Sequence, residues 1–283
     1  MGCSDGSVIT CKARGVFRKD NIVPCIGDLV TVNDGEAAIE EIHPRKNVLV
    51  RPPAANVDYL GIVLSAEKPY PDLLLADKLT VTAYFMNVTP FIVINKCDLA
   101  KPERIAALQA HFEGTGIEVI LCSCRDDAGI DSVRACLKPG VTVFAGQSGV
   151  GKSSVLGRLI PQAALEVGDL SRKSGRGKHT TRHIELHDLG EGRLVADTPG
   201  FSSYETQAPK REEIARYFPE FRAFDKKCAF NTCQHDREPN CAVKKALAEG
   251  TVSKGRYENY LKILEEMKNK DKFEPRAAAK KGG

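Results

Sequence analysis

A glycine-rich segment at residues 146–153 has the pattern GxxxxGKS, with an apolar run at 141–145 before it and a helical pattern after it. Glycines in this context let backbone N–H groups turn inward around phosphate oxygens. We predict that Lys152 reaches the β and γ phosphates of a nucleotide and that Ser153 offers its hydroxyl to Mg²⁺. The alternative is a chance glycine-rich turn, which the flanking strand and helix disfavour. The predicted nucleotide contacts of this phosphate-binding loop (P-loop) are Gly146, Gln147, Ser148, Gly149, Val150, Gly151, Lys152, Ser153 and Ser154.

A second apolar run, residues 91–94, ends in the pattern NKxD, formed by Asn95, Lys96 and Asp98. A carboxylate at Asp98 accepts hydrogens from N1 and N2 of guanine, whereas adenine would leave it unpaired. Sites built on such pairing discriminate between ligands by roughly 10⁴. We therefore predict that Asn95, Lys96 and Asp98 contact a guanine nucleotide. For Asp98 alone the alternative is a helix cap, since a helix is predicted to follow.

The next predicted strand, residues 117–122, ends in Ser123 and Cys124, a loose match to the SAK pattern. In that pattern a backbone N–H contacts guanine O6. Cys124 and Arg125 stand where Ala and Lys are usual, and a backbone contact tolerates a residue as small as Cys. We predict that Ser123 and Cys124 are nucleotide contacts.

A strand-like segment at residues 193–197 ends in Asp197 and continues into the turn DTPG, which closes at Gly200. Asp197 can hold Mg²⁺ through water, and the N–H of Gly200 can sense a γ-phosphate. Alone, this turn would fit the end of any strand. Following a P-loop, it is the expected acidic partner of the magnesium site.

Residues 171–183 form a Gly- and Ser-containing segment with five cations and no acid. Its place between the P-loop and DTPG is that of a first switch, in which one threonine ligates Mg²⁺. We favour Thr181 for this role and place Thr180 second. The cations are predicted to contact RNA phosphates, the alternative being a solvated loop. These candidates are Arg172, Lys173, Arg176, Lys178 and Arg182.

The order of the motifs along the chain is unusual. In ordinary GTPases the P-loop comes first and NKxD follows DxxG, whereas here NKxD at residue 95 precedes the P-loop at 146. The order predicts a circularly permuted GTPase domain, which is feasible because chain termini often lie close together. The segment after DTPG then runs into the C-terminal region, where a nucleotide-dependent shift would move that region as a body.

A cluster of metal-binding residue types lies between residues 228 and 241. Three thiols and one imidazole occur within fourteen residues. Zn²⁺ takes such a tetrahedral set, and a closed four-ligand site is structural rather than catalytic. Buried free thiols are the alternative, which the polar neighbours of the cysteines disfavour. The predicted ligands are Cys228, Cys233, His235 and Cys241.

Taken together, the chain resembles the ribosome small-subunit-dependent GTPase A (RsgA) family over nearly its whole length. The resemblance rests on NKCD, GQSGVGKS, GRGKHTTR, DTPGF, the Cys/Cys/His/Cys knuckle and a small N-terminal barrel. It implies a bacterial cytosolic GTPase, with Mg²⁺ bound alongside GTP or GDP and one structural Zn²⁺. It also implies binding to the 30S ribosomal subunit and its 16S rRNA late in subunit maturation. Nothing in the sequence requires more than a monomer, and a monomer is expected. Hydrolysis would be stimulated by the subunit and coupled to release.

Phe201 stands where many small GTPases place a catalytic glutamine after DxxG. Phenylalanine cannot orient water, so either hydrolysis is slow or another group acts. The family resemblance points to His179 as the catalytic residue. The alternative is that His179 only contacts phosphate or rRNA.

Three domains are predicted to position these residues. Residues 1–62 read as short strands with tight turns and fit a small barrel, OB-type or SH3-like. Residues 63–207 alternate strands and helices, which indicates a parallel α/β sheet and the permuted GTPase domain. Residues 208–283 are predicted to form a helical zinc-binding domain with a disordered basic tail. The predicted helices are 71–87, 102–114, 130–137, 210–221 and 251–268.

The barrel carries the weakest functional signal. Residues 1–58 contain one aromatic side chain, Phe17, so stacking on single-stranded RNA is disfavoured. Contact with helical rRNA phosphates is one interpretation, and a scaffold with solvated charges is the other. The basic residues for such contact are Lys12, Arg14, Arg18 and Lys19.

Charge and hydropathy restrict the cellular setting. The 283-residue chain has a net charge of +4, and residues 268–283 carry six basic and two acidic side chains, which account for all of it. The remainder is near neutral, unlike a protein that coats DNA. No run of 18 apolar residues and no basic, apolar leader is present. We therefore predict no membrane span and a cytoplasmic protein with reduced thiols.

Two rival functions remain open. One is an RNA-binding assembly module that holds GTP as a structural ligand, with negligible turnover. The other is a GTPase that acts on a different target, such as a membrane transporter or tRNA. A turnover assay separates the first from the main prediction, and cosedimentation with ribosomal subunits separates the second.

Overall fold

The fold was analysed in a computed structural model, which describes residues 2, 8–15, 17, 22–33, 35–50, 53–160, 185–197, 209–224 and 226–273. The N-terminal part is built from short strands. β1 pairs in parallel with β3 and β2 pairs antiparallel with it, whereas β4 and β5 form a separate antiparallel pair. These strands are β1 (Lys12–Ala13), β2 (Val30–Asn33), β3 (Ala38–Ile42), β4 (Val48–Val50) and β5 (Pro53–Ala55). The strand-rich character is as predicted, and closure into an OB-type barrel stays a prediction.

A six-stranded sheet forms the centre of the molecule, in the spatial order β10-β11-β9-β6-β7-β8. All neighbouring pairs are parallel except β10 with β11, which is antiparallel. The predicted domain boundary at residue 62 falls inside β6, whose nine residues belong wholly to this sheet. The strands are β6 (Val57–Ser65), β7 (Thr89–Asn95), β8 (Glu118–Leu121), β9 (Gly140–Ala145), β10 (Glu185–Asp188) and β11 (Arg193–Asp197).

Helices connect the parallel strands, as βαβ units require. Each has a local start signal: Asp72 accepts a hydrogen bond from Leu75 N at 2.9 Å, Pro102 occupies a first-turn position, and Gly129 and Gly151 adopt left-handed conformations before their helices. The predictions at 71–87, 102–114 and 130–137 agree with the structure to within a few residues. The helices are α1 (Leu73–Phe85), α2 (Pro102–His111), α3 (Ile130–Cys136) and α4 (Lys152–Leu159).

Two apolar layers cover the faces of the central sheet. Leu60, Ile62 and Leu64 of β6 pack in one layer, and Val63 packs in the other. Gly61 is required because a Cβ there would lie 2.6 Å from Cε1 of Phe144. Strands buried on both faces are typical of parallel sheets, and they place the ligand-binding edge at their carboxyl ends.

The C-terminal part is helical. The predicted helix at 210–221 is two 3₁₀ helices, Arg211–Tyr217 and Pro219–Phe224, because the residue before a proline disfavours the α conformation. They are followed by α5 (Ala242–Ala248) and α6 (Lys254–Phe273). Among the described residues, no helix combines the length and the apolarity needed to span a membrane.

A buried ion network joins this part to the central sheet. The guanidinium of Arg256 in α6 is fully buried and donates to Asp77 Oδ1 at 2.7 Å and to Glu220 Oε1 at 2.7 Å. Asn259 and His111 also bond to Asp77, at 2.7 and 3.0 Å. Burial alone would lower the pKa of Arg256, but the two carboxylates outweigh it and raise that pKa. Arg256 is therefore held charged between α1, α6 and the second 3₁₀ helix.

Candidate nucleotide site and candidate metal centre

The P-loop leaves the carboxyl end of β9 and enters α4. Gly146, Gly149 and Gly151 have positive φ angles of 144°, 80° and 96°. A Cβ would lie 2.3 Å from the carbonyl oxygen of Val63 at Gly146, and 2.2 Å from Nδ2 of Asn95 at Gly151. The glycines are thus required both by backbone conformation and by the close approach of neighbouring strands.

Lys152 folds back over this loop. Its Nζ donates to the carbonyl oxygens of Gly146 at 2.6 Å and Gln147 at 2.9 Å. Burial lowers the pKa of Lys152. A desolvated ammonium gains more from an adjacent anion than an exposed one does, so its position favours a phosphate ligand. Ser148, Ser153 and Ser154 are exposed, whereas Val150 is packed in the core.

The NKxD segment is tied directly to the P-loop. Asn95 Nδ2 donates to the carbonyl oxygen of Val150 at 3.0 Å. Lys96, itself in a left-handed conformation, donates through Nζ to the carbonyl oxygens of Gly149 and Lys68, both at 2.8 Å. Two motifs that lie about fifty residues apart along the chain are therefore joined by side-chain to backbone hydrogen bonds.

The carboxylate of Asp98 is held from the neighbouring strand end. Ser123 Oγ donates to Asp98 Oδ1 at 2.8 Å, and Arg125 Nη1 lies 3.9 Å from Oδ2. The helix-cap alternative for Asp98 is wrong, because α2 begins later in the chain and Lys101 occupies its N-cap position. We call Asn95, Lys96, Asp98, Ser123 and Cys124 the NKxD edge.

Cys124 completes this edge through its backbone. Its N–H donates to Asn95 Oδ1 at 3.3 Å. Arg158 of α4 donates to the carbonyl oxygen of Cys124 at 3.0 Å and to Asp127 at 2.8 Å. The loose SAK match thus lies against the NKxD motif.

The predicted magnesium and switch residues are only partly described. β11 ends at Asp197 and runs parallel to β9, so Asp197 and the P-loop start at the same edge of the sheet. The other predicted residues of this group lie outside the described part of the chain. They are Arg172, Lys173, Arg176, Lys178, His179, Thr180, Thr181, Arg182 and Gly200.

The cysteine–histidine cluster consists of Cys228, Cys233, His235 and Cys241, whose ligand atoms all lie within 4.8 Å of one another. His235 Nδ1 is 3.3 Å from Cys241 Sγ and 3.6 Å from Cys228 Sγ. Three sulfurs and one imidazole nitrogen gathered this closely match the donor set and number that Zn²⁺ prefers.

The electrostatics of the cluster also favour a cation. Burial, together with hydrogen bonds to Cys228 and Cys241, raises the pKa of Cys233 to about 12. Adjacent thiolates repel one another, so a divalent ion at their centre would stabilise the deprotonated sulfurs that ligate metals. The donor chemistry therefore fits a structural zinc ion.

Two tyrosines of α6 hold the loop that carries His235. Tyr257 Oη donates to the carbonyl oxygen of His235 at 2.6 Å, and Tyr260 Oη donates to that of Gln234 at 2.5 Å. The ring of Phe221 meets the imidazole edge-to-face at 5.6 Å. Sequence reasoning missed these residues, although the i, i+3 spacing of the two tyrosines on an amphipathic helix was a usable signal.

Gln147 is a second residue whose contact was missed. Its Oε1 accepts a hydrogen bond from the backbone N–H of Asp72 at 2.8 Å. The P-loop is thereby attached to the start of α1, the helix that carries Asp77. No periodic pattern relates residues so far apart, so only the fold reveals this contact.

Comparison with known families identifies the chain. Residues 42–207 match the family model described as RsgA GTPase, and residues 3–39 match the RsgA N-terminal domain. The chain belongs to the RsgA GTPase family. It is therefore an enzyme that hydrolyses GTP, and the resemblance inferred from the motifs is confirmed.

Relatives and solved structures agree over nearly the full length. A small ribosomal subunit biogenesis GTPase RsgA of Caldanaerobacter subterraneus subsp. tengcongensis is 43% identical, covering 95% of this chain and 92% of the relative. The protein of that name in Geobacillus thermodenitrificans is 45% identical, covering 94% and 93%.

The solved structures support the permuted arrangement. YjeQ from Thermotoga maritima aligns with a TM-score of 0.77 and 34% identity over 93% of this chain and 91% of that one. YloQ, described as a circularly permuted GTPase, aligns with a TM-score of 0.76 and 37% identity over 96% and 89%. The chain shares their fold, and in its own sequence NKxD precedes the P-loop.

Proposed function

We propose that this GTPase binds the 30S ribosomal subunit and acts late in small-subunit maturation, with hydrolysis stimulated by the subunit and coupled to release. The name of the relatives, small ribosomal subunit biogenesis GTPase, supports the process. The observation that supports the nucleotide is the joining of the NKxD edge to the P-loop through Asn95 and Lys96. One rigid edge thus presents groups suited to guanine and to phosphates together.

Each part of the nucleotide has a proposed partner. Asp98, oriented by Ser123, pairs with N1 and N2 of guanine, and the Cys124 N–H donates to O6. P-loop N–H groups and Lys152 hold the phosphates, and the N–H of Gly200 senses the γ-phosphate. The ammonium of Lys152 is half-buried, and burial lowers its pKa. A bound phosphate would supply the opposite charge that stabilises the protonated form.

Magnesium is proposed to be held by a serine, a threonine and an aspartate. Ser153 at the start of α4 supplies its hydroxyl, Thr181 or Thr180 supplies a second, and Asp197 acts through water. When bound, Mg²⁺ neutralises charge that develops between the β and γ phosphates. The exposed position of Ser153 and the end of β11 at Asp197 are compatible with these roles.

His179 is proposed to orient the attacking water, because Phe201 cannot. We expect His179→Ala to slow stimulated hydrolysis while sparing GTP binding. Stimulated turnover that stays unchanged in this variant would assign His179 to phosphate or rRNA contact instead. His183→Ala serves as the matched control, because it removes another imidazole from the same stretch of sequence at a position with no proposed role.

One zinc ion is proposed to be structural and to hold residues 228–241 in place. All four predicted ligands are accounted for within the cluster, which leaves no open position for catalysis. The surrounding region has a small core of its own and is attached to α1 through Arg256. A metal is the usual means by which so small a region maintains one conformation.

The partner surface is proposed to be basic and to bind 16S rRNA phosphates. Arg172, Lys173, Arg176, Lys178 and Arg182 form the main contact, ordered by GTP. Of the N-terminal candidates, Lys12 is exposed and available, whereas Arg14 is engaged with Glu36 and Glu40 at 2.6 and 3.5 Å. The protein is proposed to act as a cytoplasmic monomer.

The decisive experiment measures phosphate release from GTP, with ATP as control, alone and with 30S, 50S or 70S particles. We expect strong stimulation by 30S only and no turnover of ATP. Binding of GTP with equally slow turnover in every mixture would favour an RNA-binding module instead. Stimulation by 50S or 70S particles instead would indicate a different target. The absence of both stimulation and cosedimentation with 30S would indicate the same.

A base-specific variant tests the nucleotide assignment. Asp98→Asn should weaken GTP binding by about a hundredfold or more, because the pairing with N1 and N2 is lost. Xanthosine triphosphate should recover it, since xanthine has a carbonyl where guanine has an amino group, and an amide donates to a carbonyl. Asp131→Asn, on an exposed turn of α3, is the matched control and should change neither affinity.

A further inference from the structure

Two cysteines lie at or beside the NKxD edge: Cys124 belongs to it, and Cys122 lies two positions earlier in the chain. Both follow β8 and flank Ser123. Cys122 lies in the apolar layer on one face of the sheet, and Cys124 packs against the same layer. Cys122 is buried and Cys124 is partly exposed. One thiol is therefore accessible to solvent, while the second is buried in the same layer.

The surroundings favour a reactive sulfur at Cys124. Interaction with Cys122 lowers the pKa of Cys124, burial opposes this effect, and the charge of Arg158 lowers the pKa further. Arg158 is fixed beside Cys124 by its bond to the carbonyl oxygen there. The thiolate is the nucleophilic form of cysteine. By contrast, burial raises the pKa of Cys97 and of Cys136.

Both cysteines also contact the residue that links the edge to the P-loop. Asn95 Oδ1 accepts from Cys122 Sγ at 3.7 Å and from Cys124 N at 3.3 Å. The other end of the same amide holds Val150 at 3.0 Å. Ser123, between the two cysteines, orients Asp98. A covalent change at this pair therefore acts on the groups proposed to hold guanine.

We propose that Cys124 is a peroxide-sensitive thiol, that Cys122 resolves it to a disulfide, and that this disulfide weakens guanine-nucleotide binding. The last part rests on the function proposed above for the NKxD edge. The oxidant is a hydroperoxide such as hydrogen peroxide. The modification is reversed by a dithiol reductant.

The chemistry balances in two steps. The Cys124 thiolate attacks one oxygen of hydrogen peroxide, the O–O bond breaks, and the departing hydroxide takes up a proton to become water. The Cys122 sulfur then attacks the Cys124 sulfenic acid. The S–O bond breaks and water leaves with the Cys122 proton. Two thiols lose two electrons and two protons, and one peroxide becomes two waters.

A disulfide changes the edge in a definite way. It draws the two Cβ atoms to about 4 Å and removes the thiol that donates to Asn95. The backbone of Ser123 and Cys124 must rotate to permit the bond, which misplaces the hydroxyl on Asp98 and the N–H proposed for guanine O6. Loss of these hydrogen bonds is expected to lower nucleotide affinity about tenfold or more.

The test uses the full chain and the fluorescent ligand N-methylanthraniloyl-GDP. Affinity is measured for reduced protein, after peroxide and removal of excess oxidant, and again after dithiothreitol. We expect about a tenfold loss that dithiothreitol reverses, with peptide mass spectra showing two hydrogens lost across Cys122 and Cys124. Disulfide formation with unchanged affinity, or no disulfide at this pair, would overturn the proposal.

Variants separate this pair from the cysteine–histidine cluster, whose thiols peroxide can also attack. Each variant is compared with its own reduced form, so a different starting affinity does not matter. Cys136→Ser should keep the full response, and Cys124→Ser should lose it. A response that persists in Cys124→Ser would assign the effect to other thiols and sink the proposal.

A second variant decides the matter if Cys124→Ser does not fold. Cys122→Ala removes only the resolving thiol, so peroxide should leave a sulfenic acid on Cys124 that dimedone labels, with no disulfide. Absence of that label overturns the proposal. If reduced wild-type protein does not bind the GDP probe at all, the proposed nucleotide site fails instead, and the two failures are thereby distinguished.

Discussion

The NKxD edge and the cysteine–histidine cluster both suit charged ligands, but they are assembled from different groups. Lys96 of the edge and Lys152 of the adjoining P-loop donate to carbonyl oxygens of the P-loop. In the cluster, three thiols and an imidazole face one another within 4.8 Å. The hydrogen bonds of the first arrangement form without a ligand, whereas deprotonating the thiols of the second would create repulsion. The comparison predicts that the edge is preorganised and that the cluster would depend on a bound cation.

The helix α1 connects these two regions. Its first residues bond to Gln147 of the P-loop, and its middle carries Asp77, which pairs with Arg256. Half-buried Lys78, at the next position, adds a pair with Glu266. The contrast between the regions can therefore be tested at each site and at their connection.

Metal removal should produce the largest effect, because structural zinc contributes about 10 kcal/mol or more in small zinc domains. A chelator, or Cys241→Ser, should abolish zinc binding and remove hydrogen-exchange protection from residues 228–241 and from α6. Nucleotide removal should leave protection of the sheet largely intact. Cys11→Ser, outside the cluster, is the control. If Cys241→Ser kept both its zinc and its hydrogen-exchange protection, the cluster would not depend on the metal, and the two regions would not differ in this respect.

Arg256→Met tests the connection between the regions. It leaves Asp77 and Glu220 buried without a counter-charge and should cost about 3–5 kcal/mol in the free energy of unfolding. Arg14→Met removes a pair between exposed side chains and should cost about 1 kcal/mol or less. Denaturant titration of both variants measures the difference. Equal losses would mean that the buried network is not what attaches α6.

Gly151→Ala tests whether the P-loop backbone must approach Asn95 of the NKxD edge closely. The added Cβ would lie 2.2 Å from Asn95 Nδ2, at a φ of +96°. We expect GDP affinity to fall by about a hundredfold while the zinc content is unchanged. Gly157→Ala, where the structure has open space within α4, should bind normally and gain about 0.5–1 kcal/mol of stability. Normal binding by Gly151→Ala would refute the argument.

Ser123→Ala should have the smallest effect. It removes the 2.8 Å hydrogen bond to Asp98 while leaving the carboxylate in place. A single such bond is worth about 1 kcal/mol, so GDP affinity should fall about fivefold. Ser132→Ala on the exposed surface of α3 is the control and should not change affinity. A loss as large as that of Gly151→Ala would show that the edge is less preorganised than the comparison implies.

Local motifs were predictable because their physics is local. The P-loop needs glycines, a strand and a helix within about a dozen residues, and all of these were present in order. Predicted helices at 71–87 and 130–137 agreed because their start signals act over one turn. The helix at 210–221 was less regular than expected because of Pro219. The strand β6 begins at Val57, so the predicted domain boundary at residue 62 fell inside it.

Long-range contacts were not predictable in the same way. The local sequence around Arg256 did not predict that its side chain would be fully buried, since a charged residue on an amphipathic helix is usually solvated. Its partner Asp77 is 179 residues away in the chain. The bond from Asp72 to Gln147 likewise joins residues with no shared periodicity. Such pairs form when whole helices and strands pack together, and a short window of sequence does not contain that information.

Residue types and their order along the chain were enough to predict which chemistry this protein carries: a phosphate loop, a guanine-type motif, a set of four metal-binding side chains and the permuted order of those motifs. Each motif is encoded by residue types at short spacing, where sterics and ligand preference act directly. How the motifs meet depends on the fold. The order β9-β6-β7-β8 brings Val150, Asn95 and Cys124 to one edge, because parallel strands align their carboxyl ends. Buried Arg256 links the region of the cysteine–histidine cluster to α1 through its ion pairs with Asp77 and Glu220. These pairs form because a buried charge requires charged partners nearby, and only the fold brings them together.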